Sequence, residues 1–305
     1  MTASPSGHDR YATKPAGSSA QPVLESGTFQ LGDRVVNRLG FGAMRLTGPG
    51  IWGEPAHRIE CIRVLRRALE LGVNLIDTAD SYGPEVSEDL IYEALHPYPD
   101  ELVIATKAGL TRAGPNQWAP VGRPEYLRQE CEMSLRRLGL ERIELFQLHR
   151  IDPKVPAEEQ FGLLDDLRRE GKVHHVGLSN VSVDNLQAAA KIVPIVSVQN
   201  RFNLTDGSSD ELLAFCESEQ IGFLPWAPVA AGQLTGPTAV IGEVAEATGA
   251  TPGQVALAWL LHHSPVILPI PGTSTVEHLE ENCAAGALSL DREQVSALDA
   301  AHAAA

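Results

Sequence analysis

The feature that most constrains this chain is an alternation. From Leu39 onward, short apolar runs trade places with longer amphipathic ones eight times over. That order predicts parallel strands joined by crossover helices, because a parallel neighbour is reached only through a connection long enough to return along the sheet. The predicted strands are residues 39–43, 74–77, 102–107, 143–149, 173–178, 195–199, 222–226 and 266–270. Residues 57–71 show the helical pattern, with Ile59, Ile62, Leu65, Ala68 and Leu69 at helical spacing and Gly72 as the stop. Arg123, Pro124 and Glu125 open another helix, which runs through Leu127, Cys131, Leu135 and Leu138 to Gly139. Residues 158–169 and 251–262 follow the same logic. Eight such units within 305 residues, with no dividing linker, predict an α/β fold: one closed (β/α)8 TIM barrel over residues 23–305. Ahead of it, Gly32-Asp33 between β-prone runs at 28–36 predicts an N-terminal β-hairpin capping one end.

Composition narrows the partners. A formal net charge of -15 repels phosphate backbones and anionic lipid, so nucleic acid and membrane surfaces are excluded as general partners. No stretch reaches the ~18 uninterrupted apolar residues of a membrane helix. Residues 1–22, rich in Ser, Pro, Gly and Ala, lack the apolar core of a secretory signal and read as a flexible tail. Cys61, Cys131, Cys216 and Cys283 are widely separated and form no C-x-x-C pair, which predicts free thiols in a reducing, cytoplasmic setting.

In a barrel, sites form at the C-terminal ends of the strands, and the long connections 48–55, 110–122 and 227–237 belong to that face. Asp77 ends the second predicted strand and Tyr82 stands on the loop after it; Lys107 ends the third and His149 the fourth. Taken singly, Asp77 reads as a helix cap, Tyr82 as packing, Lys107 as a solvated strand end and His149 as a structural residue. Together they bring a phenol, an ammonium, an imidazole and a carboxylate to one mouth. This set closely resembles the aldo-keto reductase superfamily, over a stretch from about Leu39 to Asn282. The resemblance implies reduction of aldehyde or ketone groups of small molecules, with the family's catalytic tetrad on Asp77, Tyr82, Lys107 and His149. Hydride transfer leaves negative charge on the carbonyl oxygen, which a nearby acid must neutralise. Tyr82 is that acid; Lys107 eases loss of its proton, Asp77 holds Lys107 charged, and His149 hydrogen-bonds the substrate oxygen.

The resemblance extends to a nicotinamide groove. Ser179 and Asn180 in Gly177-Leu178-Ser179-Asn180, together with Gln199, match the carboxamide ligands, and Trp226 matches the aromatic residue that stacks on the ring. Gly42, Ala43 and Met44 match the end of the first strand beside the nicotinamide ribose and pyrophosphate. Ala227, Pro228, Val229 and Gly232 lie on the loop after the seventh strand. Gly272, Thr273, Ser274, His278, Glu281 and Asn282 follow the eighth, where hydroxyls and a helix N-terminus suit a dinucleotide phosphate. The family commonly has a basic residue, often arginine, where His278 stands, gripping the 2′-phosphate. NADPH is favoured over NADH on the resemblance. No strand-linked G-x-G-x-x-G is present, so a Rossmann domain is not supported. Trp52 and Trp118, on the long loops, are assigned to an apolar substrate pocket, and Gln147-Leu148-His149-Arg150 and Ser197-Val198-Gln199-Asn200-Arg201 look most like the bacterial aldehyde and pyridoxal reductase branch.

Two rival functions remain open at this point. Channel-associated β subunits resemble the same family, which allows a cofactor-sensing module with little turnover, and Lys107 could serve a Schiff-base lyase. Metal catalysis is not supported, since His149, His174, His175, His262 and His263 show no ligand spacing; the adjacent pairs read as strand or helix boundaries.

Overall fold

A computed structural model describes residues 20–228 and 239–305. The tail expected at 1–22 lies outside the described residues up to 19, as do Val229 and Gly232. Pro22, placed in that tail, instead opens a short 3-10 helix, Pro22–Ser26, whose Val23 is buried.

The hairpin forms as the Gly-Asp turn predicts. Strand β1 (Thr28–Leu31) pairs antiparallel with β2 (Arg34–Asn37), and Gly32 takes φ +64 at the turn, a conformation open to glycine without strain. Its inward residues Phe29, Leu31 and Val36 join the main hydrophobic core with Leu75, Val103, Ala105 and Leu145, so the hairpin closes the barrel floor.

Seven parallel strands follow in one sheet: β3 (Phe41–Gly42), β4 (Leu75–Asp77), β5 (Val103–Ala108), then, beyond a second hairpin of β6 (Leu110–Gly114) and β7 (Gln117–Pro120), β8 (Ile143–Leu148), β9 (Val173–Ser179), β10 (Ile195–Gln199) and β11 (Gly222–Phe223). The eighth stave, expected as a strand at 266–270, is not a regular strand. Pro269 and Pro271 have no N–H to give, so only a single bridge, Phe223 to Ile267, is recorded. The segment nevertheless closes the barrel: Phe223 N–H donates to Val266 O and Leu268 N–H to Phe223 O on one side, while Gly40 and Gly42 donate to Pro269 O and Pro271 O on the other. The seventh strand is likewise shorter than expected, ending before Pro225.

Helices α1 (Arg58–Glu70), α2 (Val86–Leu95), α3 (Pro124–Leu138), α4 (Ala157–Arg169), α5 (Val183–Ala190), α6 (Asp210–Glu219), α7 (Ala239–Thr248), α8 (Pro252–His263), α9 (Val276–Ala284) and α10 (Arg292–Ala303) surround the sheet. Their ends carry the expected signals. Pro124 stands at the first turn of α3 and Gly139 ends it at φ +62, while Thr251 and Gln254 cap α8 reciprocally. Strand alternation divides the side chains between layers. Ile76 and Ile104 belong to one buried cluster with Cys61, Val64, Leu65 and Ala68 of α1, whereas Asp77 on the opposite face of β4 points inward. The result is an α/β (β/α)8 barrel with a hairpin cap. All four cysteines are free and buried. No helix among the described residues is long and apolar enough to cross a membrane.

Candidate active site

The barrel mouth gathers the four strand-end residues. Lys107 Nζ, fully enclosed, donates to Asp77 Oδ2 at 2.6 Å and to the Thr78 carbonyl at 2.7 Å, and lies 3.4 Å from Tyr82 Oη. Asp77 Oδ1 accepts from the amides of Gln199 at 2.8 Å and Gln147 at 3.1 Å. Both carboxylate oxygens are therefore satisfied, which a buried charge requires. The Tyr82 ring stands edge-on to His149 with centroids 5.8 Å apart, and Ser81 Oγ lies 3.3 Å from His149 Nδ1.

Electrostatics set the protonation states. Burial disfavours the Lys107 ammonium, but the Asp77 carboxylate and the Tyr82 oxygen beside it outweigh that and raise its pKa above the usual value. Tyr82 moves opposite to the expectation that Lys107 eases its ionisation. Lys107 does pull its pKa down, yet burial of the phenol is the larger effect and the net shift is upward. Burial, with Lys107, Arg150 and Arg112 nearby, drives His149 well below the usual imidazole value, so it stays neutral.

This neutrality has a sign that can be checked. Below about pH 6.5 the unfolded chain protonates this histidine while the folded one does not, so stability is lost as pH falls through that value. In denaturant titrations between pH 7.5 and 5.5, His149→Gln is expected to flatten the decline by up to about 1.4 kcal/mol per pH unit. An unchanged slope would mean that His149 titrates normally in the fold.

Above these residues lies a cavity of ≈ 730 Å³, lined by Asp77, Tyr82 and His149 at its base. That is a size suited to a small organic ligand. Of the residues assigned to a cofactor, Gly42, Met44, Ser179, Asn180, Gln199, Trp226, Ala227, Pro228 and Gly272 line it. Ala43 is buried behind the wall. Thr273 is largely enclosed, Ser274 and His278 are exposed around the start of α9, and Glu281 is engaged by the Thr251 hydroxyl. Asn180 adopts φ +58, which asparagine tolerates, and Ala227 φ +56, which a Cβ opposes. Gly42 and Gly272 are fixed by packing: a Cβ on either would stand 2.6 or 2.5 Å from a carbonyl oxygen of the opposing segment.

Trp118 lines the cavity, and its ring is edge-on to both Tyr82 (6.4 Å) and His149 (6.3 Å). Trp52 is not among the lining residues; its neighbour is Arg112, 5.7 Å from its ring. Sequence reading missed Arg112. Its guanidinium lies 3.5 Å from the centroid of the Trp118 ring and donates to the carbonyls of Gly50, Ile51 and Ser81, joining three loops at the mouth. Those partners are backbone oxygens, which leave no mark in a sequence. Gln147 was also missed as a site residue, although it shares the face of β8 with Leu145 by alternation. Arg45 and Arg150 stand on the cavity wall.

Comparison with known proteins bears directly on this arrangement. The model of the Aldo/keto reductase family matches residues 38–303. An uncharacterized oxidoreductase of Schizosaccharomyces pombe is 52% identical over 287 residues, 94% of each chain. Pyridoxine 4-dehydrogenase of Escherichia coli is 44% identical over 282 residues, 90% of this chain and 98% of that one. Among solved structures, an aldo-keto reductase from Klebsiella pneumoniae in complex with NADPH superposes with a TM-score of 0.76 at 26% identity, covering 90% of this chain and 94% of that one. With the family model spanning nearly the whole barrel and these two relatives matching over nine-tenths or more of each chain, the chain belongs to the aldo/keto reductase family of oxidoreductases.

Proposed function

We propose that residues 23–305 act as one barrel that reduces the aldehyde or ketone group of a small molecule in the cytoplasm, preferring NADPH to NADH. The observation that carries this is the enclosed chain Asp77, Lys107, Tyr82, whose phenol faces a ligand-sized cavity beside neutral His149.

The residues present fit a nicotinamide cofactor. The Ser179 hydroxyl, and the side-chain carbonyls of Asn180 and Gln199 left over from their amide contacts, can meet the acceptor and donors of a carboxamide. Trp226 supports the same fit: its Nε1 is buried with no hydrogen-bond partner among the described residues, and its ring lines the cavity. Thr273, Ser274, His278 and the N-terminus of α9 would hold phosphate. When bound, a reduced nicotinamide supplies the hydride.

The protein supplies the rest. Tyr82 gives its proton to the carbonyl oxygen as charge develops there, and the Lys107 ammonium stabilises the phenolate left behind. Asp77 keeps Lys107 charged and aimed. His149, in the tautomer where Ser81 donates to Nδ1, keeps a hydrogen on Nε2 for the same oxygen and so orients the carbonyl. Trp118, pinned by Arg112, offers a flat apolar wall. An aromatic aldehyde suits that wall, and the similarity to pyridoxine 4-dehydrogenase directs the choice toward pyridoxal.

A lyase would need an unprotonated Lys107 amine reaching a substrate carbonyl. Full enclosure and the raised pKa of Lys107 oppose that. Turnover assays with pyridoxal and simple aromatic aldehydes, using each reduced cofactor, test the proposal. Steady alcohol formation with NADPH is expected; tight cofactor binding without turnover would favour a sensor. His278→Arg is expected to strengthen NADPH binding relative to NADH, because a guanidinium grips phosphate with paired, permanently charged donors. An unchanged ratio of dissociation constants would remove His278 from the 2′-phosphate site.

A further inference from the structure

The fold brings Asp33 to a pair of potential ligands that lie far from it in sequence. Asp33, at the tip of the hairpin cap, lies against the adjacent His174 and His175 at the start of β9. His174 Nε2 is 2.8 and 3.0 Å from the two Asp33 carboxylate oxygens, and His175 Nε2 is 2.7 Å from Oδ1. All three ligand atoms lie within 4.8 Å of one another. We propose that Asp33, His174 and His175 form a binding site for a divalent transition-metal ion on the barrel floor, remote from the cavity at the opposite end.

The donor set suits such an ion. Two imidazole nitrogens and one carboxylate favour zinc-like cations over magnesium or calcium, which prefer oxygen alone. An ion about 2.1 Å from each donor needs donor separations of ~3.0–3.4 Å, so the observed contacts to Asp33 must open by only a few tenths of an ångström. The carboxylate is largely exposed, leaving room for water as further ligands. A carboxylate is an anion throughout the neutral range, and an ion would displace the hydrogens at His174 and His175 Nε2 that lie against it, so binding releases protons.

The hairpin shapes the site. A Cβ on Gly32 would stand 2.3 Å from the His175 ring, so the turn closes directly on that imidazole and carries Asp33 to it. Bound metal would tie the cap to β9 and stabilise the fold by linkage, with no group of the proposed reaction involved.

The test uses the full chain without any polyhistidine tag, titrated with Zn²⁺ and separately with Co²⁺. About one equivalent should bind saturably, with a higher thermal midpoint and visible Co²⁺ absorption. Asp33→Asn and His174→Gln should each weaken Zn²⁺ binding about 10-fold or more while turnover of an aldehyde is unchanged. If His174→Gln fails to fold, Asp33→Asn on the exposed turn decides alone. No saturable binding, or binding equal in the variants and the parent, overturns the site; so does loss of binding in Asp210→Asn instead, which would assign the ion to the other carboxylate-histidine group, Asp210 with His263 and His302.

Discussion

Tyr82→Phe is expected to lose about 10²–10⁴-fold in kcat for aldehyde reduction while NADPH binds as before. The substitution removes one oxygen and leaves the ring that packs edge-on against His149 and Trp118. Neither the cavity walls nor the residues assigned to the cofactor depend on that oxygen. Lys107 keeps its two short bonds, to Asp77 and Thr78, so the buried pair survives and the fold should be nearly as stable. The loss should therefore fall on the chemical step. Stopped-flow single turnovers and a separate cofactor titration distinguish the two quantities, and unchanged single-turnover rates would reject Tyr82 as the acid.

Lys107→Met should damage stability and rate together. The side chain is fully enclosed, and its removal leaves the Asp77 carboxylate buried with only the amides of Gln147 and Gln199. Breaking a buried ion pair by deleting one partner costs about 3–5 kcal/mol, because the remaining charge has lost its counterion. Reduction should fall by at least about 10²-fold, since nothing is left to stabilise a Tyr82 phenolate. The double variant Lys107→Met/Asp77→Asn should recover part of the stability and none of the activity. Denaturant unfolding of the three variants checks this; a single variant as stable as the parent would show that the pair is not the buried unit described.

Much of this site could be read before the fold was seen, for a physical reason. Barrel chemistry sits at strand ends, where a polar residue terminates an apolar run, and Asp77, Lys107 and His149 each carry that mark. Strand bounds were less legible where proline intervened. Pro269 has no N–H, so residues 266–270, expected as a strand, could not donate a full ladder. The stretch 110–122, read as a plain connection, is a hairpin turning at Pro115 and Asn116, residue types that favour a tight turn. Arg112 was invisible because it binds carbonyls of residues far along the chain, and the meeting of Asp33 with His174 and His175 was hidden by a separation of 141 positions in sequence. The electrostatic balance at Tyr82 was also beyond reach, since burial is a property of the folded chain and here it exceeds the pull of Lys107.

The most direct measurement is a crystal structure of the protein with NADP⁺ and an unreactive carbonyl analogue. The carbonyl oxygen should lie about 2.6–3.2 Å from both Tyr82 Oη and His149 Nε2, on the side of the nicotinamide away from Trp226. An oxygen held elsewhere, with Tyr82 out of hydrogen-bond reach and no water between, would contradict the assignment of the phenol as proton donor.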